Sequence, residues 1–293
     1  MPEMWCERNT WGRKRMSEGA GDKRKVRILS GLKRKLWAEK EETGEKKLYL
    51  DVWSTIKIDV HCHVGEDIDG KKQTPETILA NMQRYNIRKT VIFPFNTVQK
   101  DGFREDNMMI LDLARKHESL VGFARLDPRH PEVLNEMEWA KKMGLKGFKL
   151  HSKAQNFNYN EIPSVFEKGT EIGLPFILHS AHKEGLYQKQ LSEIIPSYPE
   201  LVMILGHAGI GDQRTVVRLA QEYKNIYLET SINFKHNIEL IVLSAGADKV
   251  MFGSDAPYGP VKETLMEMEI DWPRDRSVVK VMYDNAARIL RVE

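Results

Sequence analysis

The sequence predicts an α/β protein, a (β/α)8 TIM barrel with a basic N-terminal extension, on three observations. From about Leu48 short apolar runs alternate with helical patterns, eight such runs occur, and no glycine-rich phosphate turn follows the first. Strand then helix, repeated at a spacing of roughly 25 to 30 residues, is the pattern of βα units around a parallel sheet. The missing glycine-rich turn argues for a closed barrel over an open doubly wound sheet.

The strands are expected at Ile56 to Val60, Lys89 to Phe93, Leu120 to Leu126, Gly147 to Leu150, Pro175 to Leu178, Leu201 to Leu205, Ile226 to Leu228 and Lys249 to Phe252. Between them runs helix grammar. Thr74 and Pro75 form an N-cap with proline at the first helical position, and Ile78, Leu79, Met82 and Tyr85 follow on one face. Val133, Leu134, Met137 and Ala140 repeat in the same way after Pro131, and Gly144 and Gly173 each stop a helix. A last helix through Val278, Met282, Tyr283, Ala286 and Leu290 closes the barrel domain, expected over residues 51–293.

Residues 1–50 read differently. They hold 14 Lys+Arg against 8 Asp+Glu, so of the net +3 of the 293-residue chain they carry +6 and leave −3 for the rest. The basic runs at Arg13 to Arg15, Lys23 to Lys25 and Lys33 to Lys35 have no apolar period, the texture of a flexible extension or an arm for an acidic surface. Two cysteines, Cys6 and Cys62, make no disulfide framework, and no apolar stretch is long enough for a membrane span, so a cytoplasmic protein without a membrane partner is expected. The six tryptophans are scattered and build no stacking platform, which speaks against nucleic acid as a partner.

A (β/α)8 barrel assembles its active site at the C-terminal ends of its strands. Polar residues that end apolar strands are therefore the candidates. The first strand ends Asp59-Val60-His61-Cys62-His63, and strand alternation points His61 and His63 one way and Cys62 the other. Two imidazoles so placed can share a metal ion. The fifth strand ends in His179, the sixth in Gly206-His207 and the eighth in Gly253-Ser254-Asp255. Buried ligand-type residues converging on one mouth are explained together by a divalent cation.

These motifs resemble the amidohydrolase superfamily, specifically its amidohydrolase-related group (amidohydrolase 2). The resemblance spans roughly residues 56 to 293 and rests on Asp59 to His63, Leu178-His179, Gly206 to Gly209, Phe252 to Pro257 and Asn285 to Leu290. It implies a metal-dependent enzyme in which His61, His63, His179 and Asp255 bind one divalent ion. Zn2+ is the expected ion, with Mn2+, Ni2+ and Fe2+ as alternatives. It further implies that His207 polarises the substrate or orients the nucleophilic water. A homodimer is implied by the family alone.

The chemistry expected is hydrolysis. A divalent ion lowers the pKa of bound water toward ~7, Asp255 takes its proton as general base and passes it to the leaving group, and His207 donates to the developing oxyanion. The substrate is then an ester, lactone or amide of a small polar molecule, expected to be carboxylated. The alternative is a non-oxidative decarboxylase of a carboxylated unsaturated or aromatic acid, with Asp255 or metal water protonating the carbon that loses carbon dioxide.

Lys149, in Gly147-Phe148-Lys149-Leu150-His151, separates further readings. It binds a substrate carboxylate as a cation, or it is carbamylated and bridges a second metal, or it pairs with a neighbouring carboxylate. The same lysine stands where metal-dependent DNases of the TatD type carry glutamate, which argues against a nuclease. His151, Arg125 and His182 complete the expected substrate-binding set, Arg125 as a bidentate carboxylate clamp or as an ion-pair partner of Asp127. Glu229, Thr230 and Ser231 are expected to line the pocket without an assigned role, and Asn156 to Asn160 to form its rim. From another class, a nucleic-acid-associated factor that binds through residues 1–50 requires only a scaffold from the barrel.

Overall fold

A computed structural model describes residues 51–97, 102–272 and 276–292. The expected basic extension, residues 1–50, lies outside the described residues.

Eight parallel strand positions ring the barrel, in order β1 (Lys57–Glu66), β3 (Ile87–Pro94), β4 with β5 (Leu120–Gly122 and Ala124–Arg125), β6 (Phe148–Leu150), β7 (Phe176–His179), β8 (Met203–Gly206), β9 (Ile226–Glu229) and β10 (Val250–Met251). All eight fall where the apolar runs place them. A short β2 (Lys72–Gln73) folds back antiparallel on the end of β1, which runs further than expected.

Two seams hold the ring together. The third strand position breaks at Phe123: its first half pairs with β3, and after Phe123 N donates to Ile92 O the second half pairs with β6. Between β10 and β1 closure is by backbone bonds, with Val60 N donating to Phe252 O, Asp255 N to His61 O and His63 N to Ala256 O.

The outer layer follows the predicted helix grammar. In α1 (Pro75–Arg84) the Thr74 hydroxyl accepts from Thr77 N, and Ile78 and Met82 are buried. Next come α2 (Arg104–Lys116), α3 (Val133–Met143), α4 (Ser152–Gln155), α5 (Pro163–Ile172), α6 (Leu186–Ile194), α7 (Gln213–Glu222), α8 (Lys235–Ala245) and α9 (Val261–Glu267). Gly144 ends α3 at φ 102°, a left-handed conformation in which a Cβ is strained. The last helix departs from expectation: α10 (Ser277–Val279) and α11 (Asn285–Leu290) are joined by a π-helical stretch, Lys280–Asp284.

Strand alternation divides the core in two. Ile58, Val60, Phe93, Phe123, Ile177, Ile204, Tyr227 and Met251 fill the barrel interior, with Ala286 and Leu290 of α11 packed among them. Phe148, Leu150, Phe176, Leu178, Met203 and Leu205 point outward to the helices. Lys149, between Phe148 and Leu150, therefore points inward, and so does His179 after Leu178.

The first strand does not alternate strictly. A register shift between Asp59 and Cys62 lets both Val60 and His61 face inward, while Cys62 and Val64 join the outer core. Simple alternation from the inward Ile58 would turn His61 and His63 outward together with Asp59. The bulge brings the histidines into the mouth and leaves Asp59 outward against the segment after β10, where its carboxylate accepts from Ser254 N, Ser254 Oγ and His61 N at 2.9, 2.6 and 3.1 Å.

Candidate active site and metal centre

The mouth is built by residues at the ends of β1, β7, β8, β9 and β10. His61, His207 and Asp255 form its centre, each offering one ligand atom within 4.8 Å of the others, and all three are buried. Asp255 Oδ1 lies 3.1 Å from His61 Nε2 and 3.1 Å from His63 Nε2. His207, Ala208 and Asp255 hold left-handed backbones, with φ of 63°, 43° and 57°. Such strain at strand ends is what functional sites store.

A carboxylate without an expected role organises the cluster. Glu229 Oε2 accepts from His61 Nδ1 at 2.7 Å and from Ser231 Oγ at 2.8 Å, while Ser231 Oγ in turn accepts from His207 Nδ1 at 2.8 Å. Both imidazoles thus carry a proton on Nδ1, and both Nε2 atoms point into the site. On His179, Nε2 donates to Ala181 O at 3.0 Å, so its Nδ1 lone pair faces the His207 Nε2 lone pair at 3.2 Å.

Electrostatics agree with neutral rings at His63, His179 and His207. Burial pulls His63 and His207 down to about 4 and His179 and His151 well below the usual histidine range, so these rings are neutral at pH 7. Burial pushes the Asp255 carboxyl up, but His61, His63 and His207 outweigh it and hold the group ionised. Burial and Lys149 push His61 down, but Asp255 and Glu229 outweigh them and raise it, so a metal would displace a proton at His61 while the other imidazoles and the ionised carboxylate stand ready for it. The lone pairs of His207 Nε2 and His179 Nδ1, 3.2 Å apart, repel unless a cation sits beside them, and His63 Nδ1 is buried without any partner. The residues fit a divalent ion.

The expected residues are not all equally central. His61, His63 and Asp255 meet directly. His179 stands one ring away, reaching the cluster through His207, and His207 takes a place among the ligand atoms. Its Nε2 is an acceptor, so the network does not support the oxyanion donor expected of it. Lys149 Nζ lies 3.0 Å from His61 Nε2 and 4.7 Å from the Phe93 ring, and burial pulls its ammonium down to about 7. No protein carboxylate lies within ion-pair distance of it among the described residues. His151 stacks on His179 at 3.8 Å between ring centres while its Nδ1 caps α4 through Ala154 N.

The surroundings of three expected elements are as follows. Arg125 does not pair with Asp127, which accepts instead from Arg129 at 3.2 Å. It is buried and donates to Pro94 O and Asn96 Oδ1. His182 spends Nδ1 on the turn amide of Glu184 and rests on Tyr187, outside the cluster. The Asn156 to Asn160 segment is less a rim than a support: Tyr159 is fully buried and its hydroxyl donates to His179 O at 2.7 Å.

The sequence reading passed over Tyr258 and Phe95 and left Glu229 and Ser231 without a role. Phe95 stacks on His63 at 5.0 Å, and Tyr258 meets His63 edge-on at 5.4 Å while donating to Asp67. Glu229 ends an apolar strand as the ligand histidines do, the one signal that marks it.

Fold and site together define a (β/α)8 enzyme with a buried His-His-Asp metal centre at the strand ends. The chain belongs to the amidohydrolase family, whose model matches residues 58–292. Solved structures share the fold. A 2,6-dihydroxybenzoate decarboxylase from Rhizobium superposes with a TM-score of 0.66 at 16% identity, over 81% of this chain and 99% of that one. A dihydroxybenzoic acid decarboxylase from a Polaromonas species, solved with bound manganese and the inhibitor 2-nitroresorcinol, gives 0.64 at 17%, over 81% and 97%. A putative amidohydrolase from Staphylococcus aureus gives 0.67 at 18%, over 80% and 99%. Among curated proteins none matches the sequence. No helix among the described residues is long and apolar enough to cross a membrane.

Proposed function

We propose that the protein is a metal-dependent decarboxylase acting on a small carboxylated aromatic or unsaturated acid, the alternative to hydrolysis in the sequence reading. The observation that carries this is Lys149, a buried amine 3.0 Å from His61 with no protein carboxylate to hold its charge. A substrate carboxylate is the partner it lacks. The two structurally similar decarboxylases support the same choice, since both are named for dihydroxybenzoic acids.

His61, His207 and Asp255 would hold the divalent ion, with His63 and His179 beside them, and when bound it supplies Lewis-acid polarisation of a substrate oxygen. Manganese in the Polaromonas enzyme favours Mn2+ over the Zn2+ expected from sequence; nitrogen and oxygen donors accept either. Lys149 binds the carboxylate and the Phe93 face packs against the planar acid. Asp255, ionised at rest, takes a proton from solvent water and delivers it to the carbon that bears the carboxylate. The electron pair of the broken carbon–carbon bond becomes the new C–H bond, and carbon dioxide leaves. Glu229 keeps His61 and His207 in their tautomers throughout. We place the reaction in the cytoplasm.

The test incubates manganese-loaded protein with 2,6-dihydroxybenzoate and related acids in D2O. Carbon dioxide release with one deuterium in the product ring is expected. Incorporation of 18O from labelled water into a product, without carbon dioxide, would restore the hydrolase.

A further inference from the structure

Arg125 is the large buried side chain that the metal centre leaves unused. It is 1% exposed, and its guanidinium makes two hydrogen bonds, to Pro94 O at 3.2 Å and Asn96 Oδ1 at 3.4 Å, both neutral acceptors. Its Nε is buried with no partner at all. A guanidinium offers five N–H donors in a planar fork suited to a carboxylate. Among the described residues no carboxylate lies within ion-pair distance. Asp67 and Asp106 influence it only from further off, and they accept from Tyr258 and Thr97.

Among the described buried Asp, Glu, Lys and Arg side chains, Arg125 Nε is the polar atom left without a hydrogen-bond partner. Glu136 takes Arg104 and Asn107, Asp59 takes Ser254, and Glu229 takes His61. Lys57, at the far end of the barrel, spends its ammonium on Trp53 O and Thr55 O. Arg125 keeps donors to spare, and it sits in register beside Lys149 on the neighbouring strand, so the two cations face the same interior. Leaving a buried charge uncompensated is costly unless a ligand supplies the counter-charge.

We propose that Arg125 is an anion subsite for a second acidic group of the substrate, so that the substrate is a dianion: one carboxylate on Lys149 at the metal centre, and a second, retained carboxylate on Arg125. This rests on the decarboxylase reading only for the fate of the first group. The retained carboxylate replaces Asn96 Oδ1, the longer of the two contacts and one made by a half-buried side chain at the mouth. The Lys149 ammonium lies 4.7 Å from the Phe93 ring and the Arg125 guanidinium 5.2 Å from the Phe103 ring, so each cation rests on an apolar wall and not on a carboxylate.

The test is calorimetric titration of metal-loaded protein with benzene-1,3-dicarboxylate and with benzoate. From a charge-assisted pair, wild type is expected to bind the dicarboxylate about 30-fold more tightly. Arg125→Met is expected to erase that preference while benzoate affinity holds. Because Arg125→Met leaves a buried gap, Asn96→Asp serves as the second variant. It gives the guanidinium an internal carboxylate, and the preference is expected to vanish with melting temperature kept or raised. Equal binding of the two acids by wild type, or a preference that survives Asn96→Asp, overturns the subsite. Binding is read without turnover, so a dicarboxylate preference in a protein that releases no carbon dioxide would count against the decarboxylase and not against Arg125.

Discussion

The two sides of the barrel mouth are built on opposite principles. On the side formed by β1 and β7 to β10, three of the four rings have a proton directed: Glu229 and Ser231 set His61 and His207, and Ala181 O sets His179, while His63 Nδ1 is unpartnered. On the side formed by β5 and β6, Arg125 and Lys149 are buried cations whose hydrogen bonds end on neutral groups. The first side is finished by the protein and presents lone pairs to a cation. The second is left open in charge and calls for an anion. A site that binds a metal on one wall and a carboxylate on the other needs this asymmetry, because pre-paired cations would have nothing left for substrate.

Breaking the finished side gives the largest effects. Asp255→Asn removes the one anion among the ligand atoms, and turnover is expected to fall by about a thousandfold or more, with elemental analysis finding little metal per chain. Metal retained at wild-type level with activity lost would move Asp255 from holding the ion to proton transfer alone. Glu229→Gln keeps the shape but weakens the orienter of two histidines. Metal affinity is expected to drop about 10- to 100-fold, read by chelator competition. Full affinity in that variant would break the contrast between the two sides.

Gly147→Ala probes the scaffold instead of the site. A Cβ there would collide with the Phe123 ring in the barrel interior. Denaturant unfolding is expected to show a loss of about 1–3 kcal/mol, with metal content unchanged once folded. Ser231→Ala is the mildest. One hydrogen bond from His207 is lost while Glu229 still holds His61, and metal affinity is expected to weaken about fivefold. A larger loss than that of Glu229→Gln would make Ser231 the true organiser.

The sequence by itself determined the barrel and most of the donors. Strand positions follow from apolar runs that must bury against both layers, and α1, α3 and α5 from caps and stops at Thr74, Gly144 and Gly173. The period of two also put Lys149 and His151 on one face, and likewise His61 and His63. These are local properties, carried by neighbours a few residues apart.

Only the tertiary structure decided the rest. The β1 bulge that turns His61 inward while Asp59 stays outward depends on pairing with β3 and on the closure against β10. The proton on His61 depends on Glu229, 168 residues away, and the acceptor character of His207 Nε2 depends on Ser231. Arg125 looked like a partner for Asp127 because the two are close in sequence, yet the strand end turns them apart and Asp127 pairs with Arg129. Protonation, pairing and unmet charge are set by what a buried group meets in space. A one-dimensional pattern names the residues that can react, and closure of the barrel determines which of them meet.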